Sequence, residues 1–209
     1  MKMQNFGPSW VDFLILIVVL VGMVRGRKHG ISQELIEIIK WSVIVVVAAV
    51  VYEPLGLVLS QATALNPLLS YVAVYSAVGF ILFLIFAFIR RQIGDKLMNA
   101  DKFGAGEYYL GMAAGAFRYT CIIIVAMSFI HARYYSPAEL QAKAKAQLDV
   151  LGSDFFPSWG EFQNEVFKKS TAGRFTEENL PVLLIKSTPL ESKAQVPGKK
   201  SGKLPPSRL

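Results

Sequence analysis

Apolar residues fall in four long blocks along this chain, and the polar residues between the blocks sort by charge. The clearest block, Leu68 to Ile89, reads LLSYVAVYSAVGFILFLIFAFI and holds no charged residue. At about 1.5 Å of rise per residue, such a helix reaches roughly 33 Å, enough to cross a hydrocarbon core. Three further blocks predict spans at about residues 10–24, 41–60 and 110–130, besides 68–89. Before the second of the four, Glu34, Glu37 and Lys40 recur every three residues among Leu35, Ile36, Ile38 and Ile39. That period predicts a short amphipathic foot at the membrane interface over Gln33 to Lys40, capped by Ser32, with Glu34 facing the positive end of the helix dipole. The fold class expected is all-α: a polytopic membrane protein with a four-helix transmembrane bundle, a foot before helix 2, and a helical then disordered C-terminal tail.

The charged residues orient this bundle. The loop after the first block carries Arg25, Arg27, Lys28 and Lys40, and the loop after the third carries Arg90, Arg91, Lys96 and Lys102. The loop between Glu53 and Pro67 carries neither Lys nor Arg. Positive loops stay in the cytoplasm, so loops 1 and 3 are expected there and both termini on the other side. Arg133, Lys143 and Lys145 follow the last block and pull the other way, but long tails translocate largely regardless of charge. The first block passes straight into Arg25-Gly26-Arg27-Lys28 with no small-x-small cleavage site, which is expected of an uncleaved anchor.

Composition narrows the chemistry. The chain is 53% hydrophobic and 18% charged, more apolar than soluble domains of this size. A net charge of +7 fits Lys and Arg beside anionic headgroups, and no basic stripe interleaved with aromatic residues points to nucleic acid. The single cysteine, Cys121, lies in an apolar block, and His29 and His131 are isolated, so neither a metal nor another cofactor is expected. No G-x-S-x-G, H-E-x-x-H or Walker motif is present, and Ser70, Ser76 and Ser128 have no evident base, so the chain is not expected to be an enzyme. The lipid bilayer is the first partner, joined by other membrane proteins or a second copy of the chain.

Small residues mark where helices meet. Gly22, Gly26 and Gly30 are spaced by four, as are Gly111 and Gly115, and such faces let backbones approach closely. Gly26 and Gly30 can instead break the helix into a turn, and Gly30, just before the next helix, is expected to do so. Domain organisation follows: a membrane domain over 1–134, short amphipathic helices over 135–170, and a mostly disordered basic tail over 171–209. Ser136-Pro137-Ala138-Glu139 has the form of a helix start, running to about Leu151. Trp159, Phe162, Val166 and Phe167 form a stripe that either dips into the bilayer surface or docks on the bundle.

Arg118 stands well inside the last block, where a charge costs about 2.5–3.5 kcal/mol on insertion scales. It can snorkel to the surface, pair with a carboxylate, or meet a transported substrate. Glu34, Glu37 and Asp101 lie on its side of the membrane in the orientation above. Asp12 and Glu53 lie toward the other side, and Asp12 fits a helix-start residue rather than a proton carrier.

Several of these residues together resemble the colicin V production protein (CvpA) family. Trp10-Val11-Asp12 before an apolar run is similar to the family's opening, and so is Gly22-x-x-Arg25-Gly26-x-x-x-Gly30-x-x-x-Glu34 followed by Trp41. Leu110-Gly111-x-x-x-Gly115-Ala116-Phe117-Arg118 is similar to its glycine-rich segment ending in Arg, and Asp101-Lys102 upstream resembles its Asp-Arg pair. The likeness covers about residues 9 to 165. It departs at Phe103 to Tyr109, which are extra, and at Tyr119, where a glycine is usual. The resemblance implies a multi-pass protein of the bacterial inner membrane, tied to peptide-toxin production or export and to envelope function. An accessory or assembly role fits this implication, and a small oligomeric transporter or channel is the alternative. The residues carried over are Asp12, Arg25, Gly26, Glu34, Asp101, Gly111, Gly115 and Arg118, expected to form one polar, glycine-packed knot.

Overall fold

The computed structural model describes residues 9–98, 106–136, 139–141 and 159–189, with side chains in the second helix described only to residue 92. Three helices are long and apolar enough to cross a membrane: α1 (Trp10–Thr63), α2 (Pro67–Met98) and α3 (Gly106–His131). A two-stranded parallel ladder pairs β1 (Arg133–Tyr134) with β2 (Thr188–Pro189). Between them in sequence lie α4 (Trp159–Asn164), a π-turn at Glu165–Lys169, α5 (Thr171–Asn179) and a 3-10 turn at Pro181–Leu183.

The length of α1 hides a fold-back. Gly30 has φ 72° and ψ 168°, a left-handed setting that only glycine adopts readily. N-terminal to it, Val11 packs with Met127 near the end of α3, and Gly26 faces Gly111 near its start. C-terminal to it, Glu34 reaches Arg118 and Tyr52 packs with Ala132. Val11 and Tyr52, on the two arms of α1, therefore both lie beside the end of α3, and Gly30 lies beside its beginning. The two expected spans are joined with no loop. Helix α2 then runs antiparallel to the second half of α1, from Tyr71 over Gly56 to Arg90 beside Glu37.

Three expectations change here. The foot over Gln33 to Lys40 is continuous with the helix that follows, and its charged stripe is buried while Leu35 and Ile39 are exposed. In lipid the apolar side of an amphipathic helix faces out, the reverse of the case in water. Second, the loop expected between Glu53 and Pro67 starts later, because the helix runs through Pro54 to Thr63 and stops at Ala64 in the left-handed region. One missing N–H is tolerated in such helices. Third, residues 171–189, placed by composition in a disordered tail, are folded against the bundle, with Leu184 2% and Ile185 0% exposed. Ser136 accepts the Glu139 N–H at 3.2 Å, as a helix start requires. The remainder of that expected helix, from 142 on, and residues 190–209 lie outside the described residues.

Two apolar clusters hold the end of the bundle away from Gly30. One joins Ala48, Tyr52, Tyr71 and Tyr75 to Ala132 and Ile185. The other joins Val11 and Met127 to Val166, Phe167 and Leu184. The stripe in the tail thus docks on the bundle through Phe162, Val166 and Phe167, whereas Trp159 stays 73% exposed. Helix α2 buries least, with Phe80 and Phe88 among its outward residues.

Candidate functional site: a buried charge cluster on a glycine seam

At the Gly30 end, α1 and α3 touch backbone to backbone. A Cβ on Gly26 would come within 2.0 Å of the Gly111 carbonyl oxygen. One on Gly115 would come within 2.1 Å of the Gly22 carbonyl oxygen. No side chain fits either gap, so the seam exists only because Gly22, Gly26, Gly111 and Gly115 are glycines. Gly30 serves both readings of its spacing: it breaks the helix, and it packs on Glu107 and Gly111.

The helix that restarts after Gly30 needs partners for its first N–H groups. Glu107 supplies one from the start of α3, accepting the Ser32 N–H at 2.8 Å through Oε1. This partner comes from another helix. One turn on, the period of three turns Glu34, Glu37 and Lys40 toward the interior. Arg118 Nη1 lies 2.6 Å from Glu34 Oε2 and 4.0 Å from Glu37 Oε2. Lys40 Nζ lies 2.6 Å from Glu37 Oε2, and Arg90 Nη1 reaches Glu37 Oε1 at 2.7 Å. Lys40 also stands over the Phe83 ring, 4.9 Å from its centroid, and Arg118 over Tyr119 at 5.1 Å.

Burial grades these contacts. The Arg118 side chain is 10% exposed and Glu34 2%, whereas Arg90 is 56% exposed. The inner pair is desolvated and close, and each member leaves the other an uncompensated charge if removed. The outer pair is wet and worth little. Arg118 is therefore paired with a carboxylate rather than snorkelling alone. Among the described residues, no group of three or more His, Cys, Asp or Glu could hold a metal ion.

Of the residues singled out from sequence, Gly26, Gly111, Gly115, Glu34 and Arg118 come together here. Arg25 does not: it is exposed, and its carbonyl oxygen lies 2.8 Å from His29 Nδ1. Asp12 sits at the opposite end. There it accepts the Ser9 N–H at 3.0 Å, the Ser170 hydroxyl at 2.6 Å, and the Thr171 and Ala172 N–H groups at 3.1 Å each. It starts its own helix, as expected, and also caps α5. Asp101 lies outside the described residues. Lys40, Arg90 and Glu107 were not singled out. The period of Glu34, Glu37 and Lys40 carried a signal for Lys40; Arg90 read locally as a span-flanking residue, and Glu107 fell among the extra residues Phe103 to Tyr109.

Three apolar helices around an internal cluster of opposite charges define an integral membrane protein. The chain belongs to the colicin V production protein family, whose model matches residues 11–156. That match takes in the glycine seam and the charge cluster and stops short of α4. No curated protein and no solved structure matches the chain.

Proposed function

We propose that this protein is an accessory or assembly component of the bacterial inner membrane that supports peptide-toxin production or export by contacting other membrane proteins. In this reading the chain crosses the bilayer four times, twice within α1, with the Gly30 and Arg90 ends cytoplasmic and both termini on the other side. Family membership supports the process. The observation that favours an assembly role is the closure of the charge cluster: Arg118 and Lys40 are both occupied by carboxylates of the chain itself. A transporter needs a charged group free to exchange partners with its cargo, and Arg118 was the residue offering that role. The cluster acts as a clasp that fixes how the helices meet and so presents a rigid surface.

Pull-down of the tagged full chain from membranes in mild detergent tests the reading. A stable membrane-protein partner, together with no ion or solute flux in liposomes of the purified protein, is expected. Flux through liposomes with no recovered partner contradicts it and favours the small oligomeric channel or transporter. Reporters fused at the two termini check the handedness and should be active only outside the cytoplasm.

A further inference from the structure

The first half of α1 has two opposed faces. Gly22, Gly26 and Gly30 fix one of them against α3. At 3.6 residues per turn, Ile17, Val21, Val24 and Lys28 fall roughly on the other side. That outward face is a shallow furrow lined by Ile17, Leu20, Val21, Val24, Arg25 and Lys28. Its apolar residues are all about half exposed, from 47% at Leu20 to 61% at Ile17. The cations at its charged end are exposed, as are Arg27 and Arg91. Lys40, Arg90, Arg118, Lys168, Lys169 and Lys186 each contact a carboxylate. Neither Arg25 nor Lys28 has a carboxylate partner among the described residues.

We infer that this face binds one anionic phospholipid, its acyl chain along Ile17 to Val24 and its headgroup between Arg25 and Lys28. The ligand must be long and apolar at one end and negative at the other, because the furrow changes from one chemistry to the other along the helix axis. A bilayer supplies that molecule at the depth where these residues lie. A free phosphate would use the cations and leave the apolar furrow without an occupant. A helix from a second copy would need a carboxylate aligned with Arg25 and Lys28. The two cations are exposed and outside the seam, so replacing them leaves the bundle intact.

The test uses the full chain in nanodiscs with equal amounts of phosphatidylglycerol and phosphatidylcholine, then native mass spectrometry of the lipids retained after release. Wild type should keep phosphatidylglycerol in preference. Each cation removed should lower that preference about five-fold. Arg25→Gln with Lys28→Gln should therefore abolish most of it, with thermal unfolding unchanged. Arg25→Lys with Lys28→Arg should keep it, and inorganic phosphate should not displace the lipid. Equal retention of both lipids by wild type overturns the assignment. So does an unchanged preference in the double Gln variant, release by inorganic phosphate, or a dimer that carries no lipid.

Discussion

The two ends of the bundle are held by different physics. At the Gly30 end, opposite charges meet in a desolvated pocket over a seam of glycines, and two helices touch directly. At the other end two apolar clusters are joined by directional hydrogen bonds to the segment that follows the bundle in the chain. Ser128 accepts the Ile185 N–H at 2.9 Å, the Tyr52 hydroxyl accepts the Lys186 N–H at 3.0 Å, and Asp12 caps α5. Gln163 donates to the carbonyls of Ile130 and Arg133, both at 2.8 Å, where the end of α3 leaves acceptors open. The first end is built within the family-matched residues 11–156, and the second uses residues 159–189 beyond them. The difference teaches that the membrane core closes on itself, while the far end is finished by a cap that follows the matched region.

If so, damage to the first end should destroy the fold and damage to the second should only loosen the cap. The largest effect is expected from Gly26→Leu, which puts a side chain where even a Cβ meets backbone at 2.0 Å. Its destabilisation should exceed about 3 kcal/mol, the upper part of the usual range for overpacking, because backbone cannot yield as a rotamer can. Membrane-inserted protein should then be absent by immunoblot of alkali-washed vesicles. Next comes Arg118→Leu, which strands Glu34 and should cost about 3–5 kcal/mol in detergent unfolding. Arg118→Lys should be milder, and equal wild-type levels for both variants would count against the clasp.

Effects at the other end should be smaller and local. Asp12→Ala removes the acceptor of the Thr171 and Ala172 N–H groups at the start of α5, leaving the Ser170 cap in place, and should cost about 1–2 kcal/mol. Its signature is faster proteolytic loss of the segment after residue 156, with the bundle's melting temperature nearly unchanged. If the bundle melts together with the cap, the two ends are one cooperative unit and the contrast fails. The smallest effect belongs to Arg90→Gln. That pair is more than half exposed on one side and should shift stability by less than about 1 kcal/mol, which a thermal melt at two salt concentrations can check.

Much of this end was legible in the sequence. Helical class and the main apolar spans follow from hydropathy, and Gly26, Gly111, Gly115, Glu34 and Arg118 were marked by spacing and family likeness. The orientation of the stripe at Glu34, Glu37 and Lys40 was not legible. A period of three shows that these residues share a face but not which way it points, and lipid reverses the answer that water gives. The break at Gly30 was legible, but not that the same residue also packs against α3, since glycine suits both a positive φ and a close contact. The cap was hidden for another reason. Asp12 and Ser170 are 158 residues apart, and nothing local in either sequence names the other. Ser170, Ile185 and Lys186 sit in a weakly apolar stretch whose order comes from docking, not from composition.

A double-mutant cycle on Glu34 and Arg118 probes the clasp most directly, with Glu34→Gln, Arg118→Gln and the pair measured by unfolding in one detergent. A desolvated ion pair predicts that each single change destabilises strongly and that the double change costs less than their sum, with a coupling of about 1–3 kcal/mol. Additive losses within about 0.5 kcal/mol would contradict it, because the two charges would then be answering to something other than each other.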